Sequence, residues 1–488
     1  MYENDLTLHT DKYQINMMYA HWKNGTLNQK SVFEVYFRKP PFGNGYAVFA
    51  GLERIVEYVK RLHFGEAELR YLAEQEENYE PAFLKELKDF RFTGNLWSAE
   101  EGSLVFPNEP LIRVEGRVFE AQSLETAILN FMNYQTLIAT KASRIRQVAP
   151  DDILMEFGDR RAQEAEAAVW GARAAYIGGF DATSNLRAGM MFGIPAKGTH
   201  AHAWVQDHET EQEAFDRFAD ALPDQVTPLV DTYDTLRSGV PHAIRTAKRL
   251  EQRGKRMQGI RLDSGDLAYL SIQARRMLDE AGLHYVKIVA SNDLDENIIF
   301  NLKAQGARID SWGVGTQLIT AADQPALGGV YKLVAREQDG TYIPVIKISG
   351  NPEKVSTPGI KNVFRIVNRA TGKAEADYVA LSDEDDMLKG RKLKLFDPVH
   401  PYIFKYVEDY EAVPPLKPVF QDGKLVMEMP TLEAIRAHHR SQLKPLWPEH
   451  LRKLNPQVYP VDLSPKAWRL KMDLVHRYQS MPEGKGRD

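Results

Sequence analysis

The sequence predicts an α/β protein built on a parallel sheet or barrel, with α+β segments before and after it. Three observations carry this. From about Leu124 to Arg336, short apolar runs alternate with longer helical patterns, the rhythm of successive βα units. Six of those runs end in polar, charged or glycine residues: DILMEFGDRR at Glu156 to Arg161, IPAKGTHAHA at its histidines, VTPLVDTYDT at Asp231 to Asp234, MQGIRLDSGD at Arg261 to Asp266, VKIVASND at Ser291 to Asp293, and IDSWGVGT at Gly313 to Thr316. Parallel barrels and open α/β sheets keep their active sites at such strand ends. The stretches between, such as RAQEAEAAVWGARAAY, are rich in alanine and long straight side chains that favour helix.

Taken in order, residues 1–122 read as a small α+β domain. The helical patterns LERIVEYVKRLH and EAELRYLAEQ precede SLVFPNEPLIRVEG, where Pro107 and Pro110 interrupt a strand-rich segment. Residues 123–336 form the βα region, with six units, or seven with GGVYKLVAR; a count short of eight leaves closure of a barrel open. Residues 337–430 return to β in TYIPVIKISGNPEKVSTPGIKNVFRIVN and KLKLFDPVHPYIFKYV, and are expected to complete the first domain's sheet. Within them, SDEDDMLKGRKLK reads as a solvated hairpin or loop. Residues 431–488 are helical and end in a frayed tail, MPEGKGRD.

Composition narrows the chemistry. A chain of 488 residues exceeds one ordinary core and is long enough to enclose a deep pocket. Apolar residues are 43% and charged residues 26%, and no apolar run approaches the roughly 18 residues that would span a bilayer. The start MYENDLTLHTDKYQ lacks the basic, apolar and small-residue order of a signal peptide, so a soluble, cytoplasmic protein is expected, with no membrane contact. With no cysteine, disulfides, thiolate zinc sites, iron–sulfur clusters and cysteine nucleophiles are excluded. A formal net charge of −5 argues against general nucleic-acid binding and leaves room for a local basic pocket holding a phosphorylated small molecule.

The stretch KGTHAHAWVQ poses the main question. On a strand, His200 and His202 would share a face, as in zinc hydrolases, whereas one histidine acting alone suggests acid/base or nucleophilic chemistry. A barrel metallohydrolase needs further ligands from later strand ends. His242 lies at an apparent helix start and His284 precedes its strand, so both are poor candidates. In GIRLDSGDLAYL, Ser264 or Asp266 can cap the following helix. Capping does not require Arg261 two residues before Asp263, a cation and a carboxylate suited to a phosphate and a ribose diol. The backbone of Gly313 and Gly315, with Thr316, suits a phosphate, and FGDRRAQ adds Arg160 and Arg161.

With LHTDKYQINMM, EFGDRRAQ, GGFDATSN, GTHAHAW, LVDTYDT, RLDSGDLAYL and SWGVGTQL in order along residues 5 to 370, the chain resembles the nicotinate phosphoribosyltransferase family. The resemblance implies an irregular α/β barrel of the type II phosphoribosyltransferase fold with an open-faced sandwich domain, working as a homodimer with shared active sites. It implies transfer of phosphoribosyl from phosphoribosyl pyrophosphate to nicotinate, giving nicotinate mononucleotide and pyrophosphate for NAD salvage, with ATP hydrolysed alongside and Mg²⁺ carried on the substrate phosphates. Carried over by residue, His202 is the phosphorylated histidine, His200 a variable neighbour, and Asp231 a group orienting the imidazole through its other nitrogen. Tyr13, donated by the partner subunit, and Phe157 sandwich the pyridine ring. Arg160 or Arg161 faces the nicotinate carboxylate or the diphosphate. Arg261 and Asp263 bind the phosphoribosyl group, and Gly313, Gly315 and Thr316 its 5′-phosphate. The nearest alternative is nicotinamide phosphoribosyltransferase.

Overall fold

The computed structural model describes residues 6–388 and 392–479. The tail MPEGKGRD and residues 389–391 of the charged run lie outside the described residues; ahead of them, Ser382–Leu388 winds into a 3₁₀ helix. The chain divides into two compact units, one of Met1–Leu137 with Ala326–Asp488, the other of Ile138–Pro325.

The first unit holds a seven-stranded antiparallel sheet. Its order is Thr341–Pro344, Val330–Gln338, Lys30–Tyr36, Ile112–Arg117, Asn95–Ala99, Leu416–Gln421 and Lys424–Leu425, so early and late segments interleave. The central strand Lys30–Tyr36 is buried from Ser31 onward, as a strand covered on both faces must be. The stretch GGVYKLVAR falls here, paired antiparallel with Lys30–Tyr36, and is not a seventh parallel strand. A short buried apolar run carries no mark of its partner. A second sheet of four strands contains Lys361–Asn368 and Ala374–Leu381. Buried charge pairs lie inside this unit: Arg365 donates to both Asp377 oxygens at 2.9 and 2.7 Å, and Lys361 Nζ lies 2.8 Å from Glu34 Oε2.

The second unit is built on β1 (Ile153–Glu156), β2 (Ala182–Thr183), β3 (Gly259–Leu262), β4 (Lys287–Ala290) and β5 (Ser311–Val314). They pair in parallel in the order β2-β1-β5-β4-β3. Single bridges extend the edges, Thr183 to Ala196 beyond β2 and Leu229 to Arg261 beyond β3. Two of the six expected strands are thus reduced to bridges, because Pro195 and Pro228 offer no N–H; their carbonyls still accept from Thr183 N and Arg261 N. Among the described residues, backbone pairing does not join Ala196 to Leu229. In this unit Lys141 Nζ and Arg144 Nε both lie 2.8 Å from the buried carboxylate of Glu296. Among the described residues, no helix of the chain is long and apolar enough to cross a membrane.

Candidate active site

The ends of the parallel strands enclose a pocket of about 450 Å³ lined by Phe157, Asp159, Arg160, Ser184, Gly198, Thr199 and Arg261. One wall starts where β1 stops. Phe157 N donates to Val314 O at 2.8 Å, which keeps the chain in register with β5 for one more residue. The Phe157 ring then lies over Gly313, where a Cβ would come within 2.5 Å of it, and a Cβ on Gly315 would meet the Phe157 carbonyl at 3.0 Å. The glycines of SWGVGT therefore seat the aromatic ring. The Arg261 guanidinium stands 5.6 Å from the ring centroid, within cation–π range.

Glu156, 1% exposed, secures this turn from below. Its carboxylate accepts from Thr183 Oγ1 at 2.6 Å and from Gly158 N. Burial raises its pKa to about 7, against the opposing pull of those two donors. Gly158 has no room for a side chain, since a Cβ would sit 2.6 Å from Ile319.

The other wall is a charge network. Arg261 donates through Nη2 to Asp263 Oδ1 at 3.0 Å, through Nε to Ser291 Oγ at 2.8 Å and through Nη1 to Thr199 Oγ1 at 3.4 Å, while Ser291 Oγ also donates to Asp263. Asp231 ties two turns together: its Oδ2 accepts from Asp263 N at 2.8 Å and Ser264 Oγ at 2.6 Å. Its Oδ1 is buried without a hydrogen bond. His202 opens the short helix His202–Gln206 with its side chain 39% exposed. Its Nε2 is 3.9 Å from both Asp231 Oδ1 and Asp263 Oδ2.

The expected orienting bond from Asp231 to His202 is not made. Thr232 Oγ1 bonds Nδ1 at 3.0 Å instead, and the bare Asp231 Oδ1 stands 3.9 Å from the other ring nitrogen, Nε2. His200 is 8% exposed, and both its nitrogens contact backbone groups, Nε2 the Leu229 N–H and Nδ1 the Ala201 carbonyl, so it has no nitrogen free for a metal. The structure brings Phe157, Arg160, Arg261, Asp263, Asp231 and His202 to one end of the second unit, with Gly313 and Gly315 beneath Phe157 and Thr316 opening the next helix. Arg161 is exposed in the same turn as Arg160 without lining the pocket. Tyr13 belongs to the first unit, on the helix Lys12–Lys23, and is 47% exposed. Sequence reasoning named Glu156 and Ser291 only as the first residues of strand ends, without a role, and passed over Ser184, Thr199 and Thr232. All five lie in motifs already singled out, but small hydroxyl residues at strand ends look like ordinary turn formers.

Three family descriptions match the chain: the nicotinate phosphoribosyltransferase N-terminal domain over residues 8–133, the nicotinate phosphoribosyltransferase family over 153–370, and the nicotinate phosphoribosyltransferase C-terminal domain over 360–471. Nicotinate phosphoribosyltransferase of Bacillus subtilis (strain 168) is 53% identical over 481 residues, covering 99% of this chain and 97% of the relative. That of Caenorhabditis elegans is 36% identical over 519 residues, covering 94% and 92%. The crystal structure of human nicotinic acid phosphoribosyltransferase superposes with a TM-score of 0.85 at 30% identity, covering 95% of this chain and 99% of that one.

Proposed function

The chain belongs to the nicotinate phosphoribosyltransferase family, and on that premise we propose how its strand ends carry the reaction. The enzyme transfers phosphoribosyl from phosphoribosyl pyrophosphate to nicotinate in NAD salvage. The pyridine nitrogen forms a bond to the ribosyl C1 as the bond from C1 to the diphosphate oxygen breaks, and pyrophosphate leaves. Positive charge grows on the sugar and negative charge on the leaving group, so fixed cations at the diphosphate lower the barrier most.

The observation that carries this reading is the Arg261–Ser291–Asp263 network beside Phe157. Phe157 offers a flat face to the pyridine ring. Asp263 Oδ2 is left for the ribose hydroxyls, while Arg261, held at three nitrogens, presents a pre-oriented charge to the phosphoribosyl group. The backbone around Gly313, Gly315 and Thr316 takes the 5′-phosphate. Arg160, in the pocket wall, faces the nicotinate carboxylate or the diphosphate, with Arg161 beside it. Mg²⁺ carried on the diphosphate would neutralise charge there; the buried Asp231 Oδ1, which has no hydrogen bond, is the acceptor suited to face it.

His202 adds the coupling to ATP. Its imidazole, held by Thr232, takes the γ-phosphoryl group of ATP and releases ADP; water later takes the phosphoryl group from the imidazole, releasing phosphate. Each 1.4 kcal/mol coupled in this way moves the product ratio about tenfold. The working unit is a homodimer in which the partner subunit supplies a tyrosine face at Tyr13. This is supported by its exposure on a helix of the unit that does not hold the pocket.

The test is His202→Ala, assayed with nicotinate, phosphoribosyl pyrophosphate and Mg²⁺, with and without ATP. The expected outcome is no ADP release and no acid-labile phosphoprotein, with slower, ATP-independent mononucleotide formation. Wild-type coupling in the variant would overturn the role of His202. For the shared site, mixing Tyr13→Ala and His202→Ala chains, each without ATP-coupled activity, should restore part of that activity; verified mixed dimers without recovery would refute it.

A further inference from the structure

We propose that His200 is a positioning residue that closes the open edge of the parallel sheet and so sets His202 against Thr232 and Asp231. The inference rests on the reading of His202 as phosphoryl acceptor. Backbone pairing stops at Ala196 on one edge of the sheet and at Leu229 on the other. Four residues past Ala196, the His200 imidazole spans that gap: Nε2 accepts the Leu229 N–H at 3.3 Å. A ring nitrogen that accepts an N–H carries no proton, so the proton of the neutral ring sits on Nδ1, which donates to Ala201 O at 3.2 Å.

One nitrogen thus holds the residue before His202, and the other holds the residue two before Asp231 and three before Thr232. The ring is wedged against Phe218 and Phe215, with centroids 5.0 and 6.2 Å away, on the helix Glu211–Ala221. Two further contacts cross the same gap, His202 to Thr232 and Arg261 to Thr199. Both end on side chains. Only the His200 contact grips a main-chain N–H of the far edge while its ring is buried, and that makes it the fixed point from which the imidazole of His202 is aimed.

Protonation would convert Nε2 from acceptor to donor and set it against the Leu229 N–H. Burial disfavours that proton most, and the facing charges of Arg261 and His202 disfavour it too, against the pull of the Ala201 carbonyl. The tether therefore holds at neutral pH and releases only when the pH falls below the ordinary imidazole range, near 6.5.

Two variants of the full chain separate this from packing. His200→Phe keeps an aromatic ring against Phe215 and Phe218 but cannot accept the N–H. His200→Gln carries an acceptor oxygen near the place of Nε2 and does not titrate. Phosphoprotein formed from ATP, ADP release and ATP-independent mononucleotide formation are measured at a pH of about 7.5, where the neutral imidazole of His202 can attack. The expected result for His200→Phe is a loss of roughly tenfold or more in phosphorylation, as an ångström-scale misplacement produces, with ATP-independent transfer within about twofold of wild type. His200→Gln should recover most of the phosphorylation. Wild-type phosphorylation in His200→Phe, or equal loss of both reactions, overturns the proposal. If His200→Phe does not fold, a folded His200→Gln that loses phosphorylation and ATP-independent transfer in equal measure overturns it. Wild-type coupling in His202→Ala would instead sink the phosphoacceptor reading, so the two failures are told apart.

Discussion

Two buried carboxylates, one in each unit, sit in opposite company. Asp377 in the first unit is fully buried and receives both prongs of the Arg365 guanidinium, with the Tyr459 hydroxyl at 3.0 Å. Glu156 in the second unit is as deeply buried, but its oxygens meet a hydroxyl and one backbone N–H; among the described residues no cation stands within ion-pair distance. The first arrangement neutralises a charge inside a core. The second leaves a carboxyl whose pKa burial raises to about 7, at the turn that carries Phe157 into the pocket wall. The difference is the cation: a guanidinium neutralises Asp377, whereas burial without one raises the pKa of Glu156.

The largest expected effect tests the matched pair. Arg365→Met should strand the Asp377 carboxylate and cost about 3–5 kcal/mol of stability, read as a lower denaturant midpoint, with the transfer kinetics of the folded fraction unchanged. Unaltered stability would mean that the pair is not what holds this core.

Asp263→Asn tests the network above Glu156. The amide loses the charge-assisted bonds from Arg261 and Ser291, worth about 1.5–3 kcal/mol each. Use of phosphoribosyl pyrophosphate should fall more than use of ATP. Equal damage to ATP hydrolysis without the sugar substrate would contradict the assignment.

The smallest effect is a slope. The folded-state pKa of Glu156, raised to about 7, lies above its unfolded value. Its contribution to stability is thus fully present below about pH 4.5 and is lost as the pH rises through about 7. Glu156→Gln, which mimics the protonated form and can still accept from Gly158 N while donating to Thr183, should match wild-type stability near pH 5 and exceed it near pH 8. Parallel stability curves for the two proteins would show that Glu156 is ionised throughout.

Much of the site was legible because parallel strands deliver it at predictable places. Arg261, Asp263, Asp231 and His202 each follow an apolar run, and the polar residue after a buried strand is visible in the sequence. The α/β class was legible for the same reason. The hydroxyl groups were not: Thr232, Ser291, Thr183 and Thr199 are ordinary turn residues until a neighbouring strand end brings a partner within 3.5 Å. Nor was the place of Val330–Gln338, whose apolar pattern suits either sheet and whose antiparallel partner, Lys30–Tyr36, lies some three hundred residues earlier.

The sequence by itself determined the residue types at each strand end, the alternation that makes parallel pairing possible, and, through the absence of cysteine, the kinds of catalysis excluded. These are local properties, set by periodicity and side-chain chemistry over a few residues. Only the tertiary structure decided that Thr232 and not Asp231 holds His202, that Gly313 seats Phe157, and that His200 spans the edge between Ala196 and Leu229. Each depends on distances between segments far apart in the chain, which are fixed by the order in which the strands pack and by where Pro195 and Pro228 interrupt their pairing.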